Sequence, residues 1–160
     1  MIQGSLFDEG ASNPPGPGTR MPALTLWQPW ASLAMIGRKR HETRSWPIPA
    51  KLHGHRIALH AGAGRPPASM ITEELEALCV DAFGPDWRRT LPYGAVLGTC
   101  RVSGHWRTEH FPGEIAHDDH VSGIWTTGRW AWRLDDVLAL PEPVPASGAQ
   151  GMWSWTMPRR

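Results

Sequence analysis

One ten-residue stretch of the chain carries cations, a carboxylate and an aromatic ring close together. It runs from Gly37 to Trp46 and reads GRKRHETRSW, and a tryptophan-rich turn from Leu26 to Trp30 precedes it. Cations hold phosphates, planar rings stack on bases, and a carboxylate accepts from a nucleobase amino group. These residue types therefore predict a site for a nucleotide or a nucleic acid.

Strand geometry predicts which of these side chains share the site. Residues two apart on a strand face the same way, so Glu42, Arg44 and Trp46 are predicted to line one cleft. Thr43 and Ser45 are then expected to point to the opposite face. The alternative is a solvated ion-pair cluster at a helix-to-strand corner, which contributes little to binding or stability.

The turn before this stretch is predicted to supply the wall of the cleft. Trp30 begins the apolar stripe of a helix and is expected in the core, whereas Trp27 is expected nearer the cleft. Gln28, between them, is included among the predicted base-binding residues.

Charge along the chain is unevenly distributed. The formal net charge is only +1, yet seven lysines and arginines lie between Arg38 and Arg65 against Glu42 alone. Such clustering favours an anionic partner. The chain also holds ten tryptophans, and because their rings offer large stacking faces, some are expected at a surface site.

The elements that position the site follow from periodicity and from turn residues. A strand over 23–26 leads into a helix from about Pro29 to Ile36, which Gly37 caps. A second helix begins after Thr72 and stops at Gly84. Further strands are predicted over 41–46, 55–61, 94–105, 129–140 and 151–157, with a long polar loop over 106–127. This order has too few helices for a doubly wound sheet and predicts an α+β fold with a small, partly closed barrel.

Several motifs, in order, resemble those of the activating-signal-cointegrator homology (ASCH) domain family, whose fold is related to the PUA barrels. The family pattern G-x-K-x-x-E-x-R is met by Gly37, Lys39, Glu42 and Arg44. Other stretches resemble the aromatic turn, a later strand and the closing segment of bacterial and phage members, at 27–31, 128–132, 141–143 and 148–153. The resemblance spans residues 22 to 157 and is more specific for fold than for activity.

The resemblance implies a PUA-like mixed β-barrel with two flanking helices over residues 22 to 160. It also implies a cleft between the first helix and the barrel mouth that binds RNA, DNA or a modified nucleoside, with RNA favoured. Lys39 and Arg44 would contact phosphates or base edges there. Glu42 would accept from an exocyclic amine or hold Lys39 in place, and neither a cofactor nor a metal is expected.

The same resemblance offers an enzymatic alternative. Some small members resemble acetylcytidine amidohydrolases, with a lysine base at the Lys39 position and a threonine nucleophile at the Glu42 position. Glu42 departs from that scheme, and Thr43 is predicted to face away. If the chain is an enzyme, Lys39 and Glu42 are the predicted catalytic residues of a nucleoside amidohydrolase or a ribonuclease-type hydrolase, with Glu42 as general base. Whether turnover occurs stays open.

Other residues bear on the cellular compartment of the protein and on metal binding. Cys79 and Cys100 lack metal-like spacing and are predicted to be free, buried thiols in a reducing cytosol. The histidines between 105 and 120 match no compact zinc site and are predicted to lie in a solvated loop. The sequence has no apolar run of about eighteen residues and no signal peptide, so we expect a cytoplasmic protein without a membrane partner.

The N-terminal residues 1 to 21 are predicted to form a flexible tail, because residues 8 to 20 are rich in proline, glycine and small polar residues. Within it, Gln3, Leu6 and Phe7 resemble the short peptide with which bacterial replication proteins dock on the sliding clamp. The clamp is therefore a candidate partner, and a tail without a partner is the alternative.

Overall fold

A computed structural model describes residues 13 to 159 of the 160-residue chain. Its six strands are β1 (Arg20–Leu26), β2 (His41–Arg44), β3 (Arg56–Ala61), β4 (Ala95–Arg107), β5 (Trp130–Pro145) and β6 (Met152–Thr156). Its α-helices are α1 (Trp30–Met35), α2 (Glu73–Phe83), α3 (Trp87–Thr90) and α4 (His117–Val121). Single 3₁₀ turns lie at Ala50–Leu52, Ala68–Met70 and Thr108–His110.

The six strands form one mixed sheet in the order β2-β5-β4-β3-β1-β6. Only β1 and β3 pair in parallel, and the other neighbours are antiparallel. Since β2 and β6 are the two edges and do not pair, the sheet is a curled half-barrel rather than a closed barrel. The predicted α+β class, the two main helices and the order of the six strands are confirmed.

Irregular pairing curls this sheet. The register shifts once between β3 and β4 and three times between β4 and β5, and each such irregularity bends a strand and increases its twist. At one shift, a Cβ on Gly98 would lie 2.2 Å from Met35 Cε and 2.3 Å from the Leu138 carbonyl oxygen. Glycine at this position therefore lets α1 pack closely on the centre of the sheet.

Buried residues pack on both faces of the sheet, since the β1 neighbours Ala23 and Leu24 belong to different core clusters. The largest cluster fills the space between α1 and the strands and includes Leu24, Ile57 and Trp132, all fully buried. A second cluster joins α1 to α2 and α3 and includes Trp87. Thr72 caps α2, as predicted, by accepting from the Leu75 backbone N–H at 3.1 Å.

Both cysteines are free and buried, as predicted. Burial raises the pKa of the Cys79 thiol and of the Cys100 thiol to about 12. Both side chains therefore act as small apolar groups in the packing.

The first strand begins at Arg20, two residues before the predicted start of the domain. The sliding-clamp prediction falls on Gln3, Leu6 and Phe7, which lie outside the described residues. Over residues 13 to 159, no helix has the length and apolar character needed to cross a lipid bilayer.

The stretch predicted as a long polar loop, 106–127, is more ordered than expected. β4 continues to Arg107, a 3₁₀ turn follows, and α4 occupies His117–Val121. The prediction was wrong because α4 is stabilised by tertiary contacts, described below, rather than by an apolar stripe of its own.

Candidate functional site

A cleft of about 1440 Å³ opens beside the end of β1 and the start of α1. It is lined by the end of β1, the start of α1 and β2, and by three connecting stretches, 62–64, 121–124 and 145–151. The charged side chains in the lining are Lys39, Arg44, Arg129 and Glu42. The residues of the predicted motif thus converge on one concave surface.

Lys39 forms the floor of this cleft. Its residue is only 2% exposed, and Nζ donates to the Ser122 carbonyl oxygen at 2.7 Å. Nζ also lies 3.6 Å from Glu42 Oε2. Lys39 therefore joins the 121–124 stretch to Glu42, and almost none of its surface is left for contact with an external phosphate.

Glu42 is a buried carboxylate with one satisfied oxygen. Oε1 accepts from Arg44 Nε at 3.1 Å, whereas Oε2 is buried and has no hydrogen-bond partner. Buried polar atoms are nearly always hydrogen-bonded. Oε2 therefore has unused hydrogen-bonding capacity beside the Lys39 ammonium, in a side chain that lines the cleft.

Arg44 lies at the end of β2 with its guanidinium fixed on two sides. Nε donates to Glu42, and Nη2 donates to the Thr25 carbonyl oxygen at 2.8 Å. The guanidinium carbon is 6.0 Å from the Trp46 ring centroid, and Trp46 packs edge-on against Trp132 at 4.9 Å. No described residue hydrogen-bonds to Nη1, so Arg44 keeps a donor for a ligand.

Three tryptophans line the cleft: Trp27, Trp30 and Trp46. Trp27 is 42% exposed, and Trp30 packs against two core clusters. Trp30 is the more buried of the pair, as predicted, but it is only partly buried and lines the cleft beside Trp27, whereas the prediction placed it in the core. The cleft thus has planar apolar walls beside its charged floor.

Gln28 takes no part in the lining, and its prediction as a base-binding residue is corrected. It is 1% exposed, and Nε2 donates to Ser32 Oγ and to the Pro92 carbonyl oxygen, each at 2.7 Å. Oε1 accepts from the Ser32 backbone N–H at 3.0 Å. Because both the nitrogen and the oxygen of its side-chain amide are hydrogen-bonded, Gln28 fixes the start of α1 against the 91–94 stretch.

Thr43 also lines the cleft, contrary to the prediction that it faces away. β2 is an edge strand, and the 121–124 stretch covers its free side. Thr43 Oγ1 accepts there from the Ile124 backbone N–H at 2.9 Å. Its hydroxyl oxygen therefore holds the 121–124 stretch at the edge of the cleft.

Arg129 is a cleft residue that sequence reasoning missed. Its Nη2 donates to the Thr43 carbonyl oxygen at 3.0 Å, and its Nε is buried without a partner. The residue precedes β5, whose pairing with β2 places Trp130 opposite Arg44. The basic residue at the start of a strand was visible in the sequence, but its proximity to Arg44 depends on that pairing.

A second missed feature is a hydrogen-bonded chain at the other side of the cleft. Trp153 Nε1 donates to Thr25 Oγ1 at 3.0 Å, and Thr25 Oγ1 lies 3.1 Å from His60 Nδ1. His60 Nε2 lies 2.7 Å from the Ala146 carbonyl oxygen. A Cβ on Gly148 would lie 2.6 Å from both Thr25 Oγ1 and His60 Nδ1. The only sequence signal was a histidine inside an apolar strand.

A different cluster lies behind β2 and holds α4 in place. Asp119 Oδ1 accepts from the backbone N–H groups of Arg40 and His41, at 2.6 and 3.0 Å. Its Oδ2 lies 2.9 Å from His41 Nδ1. Burial alone would raise the pKa of Asp119, but these hydrogen bonds outweigh it and lower that pKa. His41 is enclosed by the rings of Trp106, Phe111 and Trp125.

The histidines of the 105–120 stretch do not gather. His110, His117 and His120 are exposed, and His105 stacks on Trp130 at 5.2 Å. Among the residues that the structure describes, no three histidine, cysteine or acidic side chains are grouped so as to hold a metal ion.

Fold and site together define a small α+β half-barrel protein with a tryptophan-walled cleft over buried ion pairs. No family model and no curated protein matches the chain. The solved structures similar to it include three of an ASCH protein from Zymomonas mobilis. One of these, ASCH from Zymomonas mobilis, has a TM-score of 0.45 and 16% identity, covering 78% of this chain and 72% of that chain.

The other two solved structures are single-substitution variants of the Zymomonas mobilis protein. Their TM-scores are 0.43 and 0.44 and their identities 14% and 17%, again over 78% of this chain and over 74% and 72% of theirs. These are structures of the family that the sequence motifs resemble. At such values the likeness concerns overall shape, and no residue role is transferred from it.

Proposed function

We propose that the cleft binds a single-stranded segment of nucleic acid or a modified nucleobase, with RNA favoured over DNA. The observation that carries this proposal is the combination of three cationic side chains and three tryptophans in the lining of one cleft. Bases stack on aromatic rings in single-stranded nucleic-acid sites, while arginines neutralise the backbone. RNA is favoured because its 2′-hydroxyl adds a donor and an acceptor that DNA lacks, and polar side chains line the cleft.

The size of the cleft supports a ligand larger than one nucleoside. Its volume is about 1440 Å³, whereas pockets for small molecules commonly span about 300–1000 Å³. Two or more nucleotides therefore fit the space better than a free nucleoside does.

The two arginines differ from Lys39 in what they offer a ligand. Lys39 is almost fully buried, whereas Nη1 of Arg44 and Nη1 of Arg129 have no hydrogen-bond partner among the described residues. A guanidinium fixed at one edge and open at another is suited to phosphate or base contacts. In this proposal Arg44 and Arg129 bind the ligand, and Lys39 holds Glu42 in position.

Fluorescence anisotropy with labelled RNA and DNA 8-mers tests the proposal. Replacing Arg44 or Arg129 with Ala removes a charge-assisted hydrogen bond and is expected to weaken RNA binding about tenfold each. Arg89→Ala is the matched control, because Arg89 is exposed and pairs only with Asp86 on the surface, outside the cleft. Equal losses for all three variants, or binding that disappears at modest salt, would reduce the interaction to nonspecific electrostatics.

A hydrolase at the same cleft is the second candidate, and one observation favours it. Lys39 and Glu42 are both buried, 3.6 Å apart, and one carboxylate oxygen has no hydrogen bond. Buried charge pairs of this kind occur at catalytic sites. If Glu42 is a general base for water in a nucleoside amidohydrolase or ribonuclease-type reaction, mass spectrometry of incubated RNA and modified nucleosides should reveal product. Glu42→Gln should then slow its release about 100-fold.

A further inference from the structure

The chain from Trp153 through Thr25 to His60 has an unambiguous direction. An indole nitrogen only donates and a backbone carbonyl only accepts, so Trp153 Nε1 donates to Thr25 and His60 Nε2 donates to Ala146. In the neutral ring the remaining nitrogen, Nδ1, then carries a lone pair. Thr25 Oγ1 must therefore donate its proton toward His60 Nδ1, 3.1 Å away.

This arrangement has the three parts of an activated nucleophile. A hydroxyl donates to an imidazole base, and a third group orients the base. Here the Ala146 carbonyl oxygen orients His60. One lone pair of Thr25 Oγ1 accepts from Trp153, and the other remains free. Thr25 is half-buried and lines the cleft, so the free lone pair lies beside the space that a ligand would fill.

The surroundings of Thr25 fit a reaction that develops negative charge. Arg44 is attached to the Thr25 carbonyl oxygen through Nη2 and keeps Nη1 free. Gly148, which is exposed, covers the hydroxyl so closely that a Cβ would lie 2.6 Å from it. Arg44 is thus fixed on the backbone of Thr25, and only a residue without a side chain fits at position 148 beside the hydroxyl.

From this geometry we infer a second chemistry in the cleft: Thr25 and His60 form a nucleophile–base pair that hydrolyses an acyl ester carried by a nucleotide. The inference rests on the proposed function only for delivery of the nucleotide. It uses neither Lys39 nor Glu42 as a reacting group, and so differs from the hydrolase considered above.

The catalytic cycle has two stages, acylation of Thr25 and hydrolysis of the acyl-threonine. Thr25 Oγ1 forms a bond to the ester carbonyl carbon while its proton passes to His60 Nδ1. The carbon–oxygen bond to the leaving alcohol then breaks, and that alcohol takes the proton from Nδ1. Water next attacks the acyl-threonine, giving a proton to Nδ1, and Thr25 leaves with that proton restored. The net change is ester plus water to acid plus alcohol, without oxidation or reduction.

The test uses p-nitrophenyl acetate, a small ester that needs no nucleotide-binding site. Wild-type protein should release p-nitrophenolate, and rapid quenching followed by peptide mass mapping should locate an acetyl group on Thr25. Thr25→Val keeps the side-chain shape and should lower the rate at least 100-fold, whereas Thr25→Ser should retain turnover. Thr99→Val, a change at a buried strand threonine outside the cleft, should match wild type.

Two further measurements distinguish a catalytic role of Thr25 from a structural one. Gly148→Ala should block the hydroxyl without removing a polar group, and thermal unfolding should show that Thr25→Val remains folded. Turnover that survives Thr25→Val, or an acetyl group found only elsewhere, would overturn the inference. The absence of any release by wild type would overturn it as well. RNA binding measured on the same samples tests the proposed function separately, because hydrolysis of so small an ester does not depend on nucleic-acid binding.

Discussion

Two buried carboxylates, Asp119 and Glu42, lie at β2, and their hydrogen bonding differs. Asp119 lies behind β2, where both of its oxygens are occupied by Arg40, His41 and the His41 ring. Glu42 lies on the cleft side, where Oε1 is occupied and Oε2 has no hydrogen bond. A buried network with every member satisfied rigidifies a fold, whereas a partly satisfied one leaves a group available to a ligand.

This contrast distinguishes a carboxylate whose hydrogen bonds hold α4 in place from one that lines the cleft. The satisfied cluster explains why α4 and the 121–124 stretch are ordered over β2. The unsatisfied cluster is held by that order, because Lys39 is fixed by the Ser122 carbonyl oxygen. The functional side thus depends on the structural side, and the following predictions test that dependence.

The largest effect is expected for Asp119→Ala. The substitution leaves two backbone N–H groups and the His41 ring without their acceptor, and we expect the free energy of unfolding to fall by about 3 kcal/mol or more. Urea denaturation measures it. Asp118→Ala on the same helix is the control, because its pair with Arg38 is partly exposed and should contribute less than about 1 kcal/mol. Similar losses for both variants would show that the Asp119 hydrogen bonds stabilise the fold no more than the exposed pair of Asp118 does.

The Asp119 cluster also sets an acid dependence. The pKa of Asp119 is lower in the folded chain than in the unfolded chain, so its stabilisation is complete above the unfolded value of about 3.9. It is lost as the pH falls through the lower folded value. Urea midpoints of wild type and Asp119→Ala should therefore differ at pH 6 and approach each other on acidification. A constant difference down to pH 2 would contradict this.

The next effect concerns the wall of the cleft. Trp27 is 42% exposed, so Trp27→Ala should change stability little, whereas losing one stacking face should weaken RNA binding by about 1–3 kcal/mol. Ile36→Ala is a suitable control, since Ile36 is 51% exposed and outside the cleft lining. Anisotropy titrations measure both variants. Unchanged affinity for Trp27→Ala would exclude this ring from the interface.

A smaller effect is expected for Glu42→Gln. The amide keeps an oxygen but replaces the anionic acceptor, so the preference for bases with an exocyclic amine over uracil should fall by about 1–2 kcal/mol. Competition between C-rich, A-rich and U-rich 8-mers measures it, and unfolding should show a folded protein. If the preference is unchanged while stability falls sharply, Glu42 belongs to the structural cluster and the contrast with Asp119 is wrong.

The smallest effect is expected at the loop before β5. The backbone N–H of Gly128 donates to Glu109 Oε2 at 2.9 Å, and this bond is the main cause that lowers the pKa of Glu109 to about 2. Its stabilisation is complete above the unfolded value of about 4.3 and is lost as the pH falls toward about 2. Glu109→Gln should therefore lower the urea midpoint slightly at pH 6 but not at pH 2. Since Arg129 follows this loop, RNA affinity should drop less than in Arg129→Ala.

Local patterns in the sequence predicted much of the frame. Gly37 ends α1, Thr72 caps α2, and period-two alternation gave β2 and the shared direction of Glu42 and Arg44. Each of these depends on neighbours within a few residues. The same reasoning misjudged Gln28, because a polar residue beside two tryptophans resembles a contact residue until its partners, Ser32 and Pro92, are known.

What the sequence by itself determined is therefore the six strands, the two main helices and the chemistry of the motif from Lys39 to Trp46. Only the tertiary structure decided which polar groups are satisfied. The pairings of Thr25 with His60, of Lys39 with Ser122 and of His41 with Asp119 join residues 35 to 83 positions apart. Periodicity reports which face of an element a side chain occupies, but the partner across that face depends on how distant strands pair.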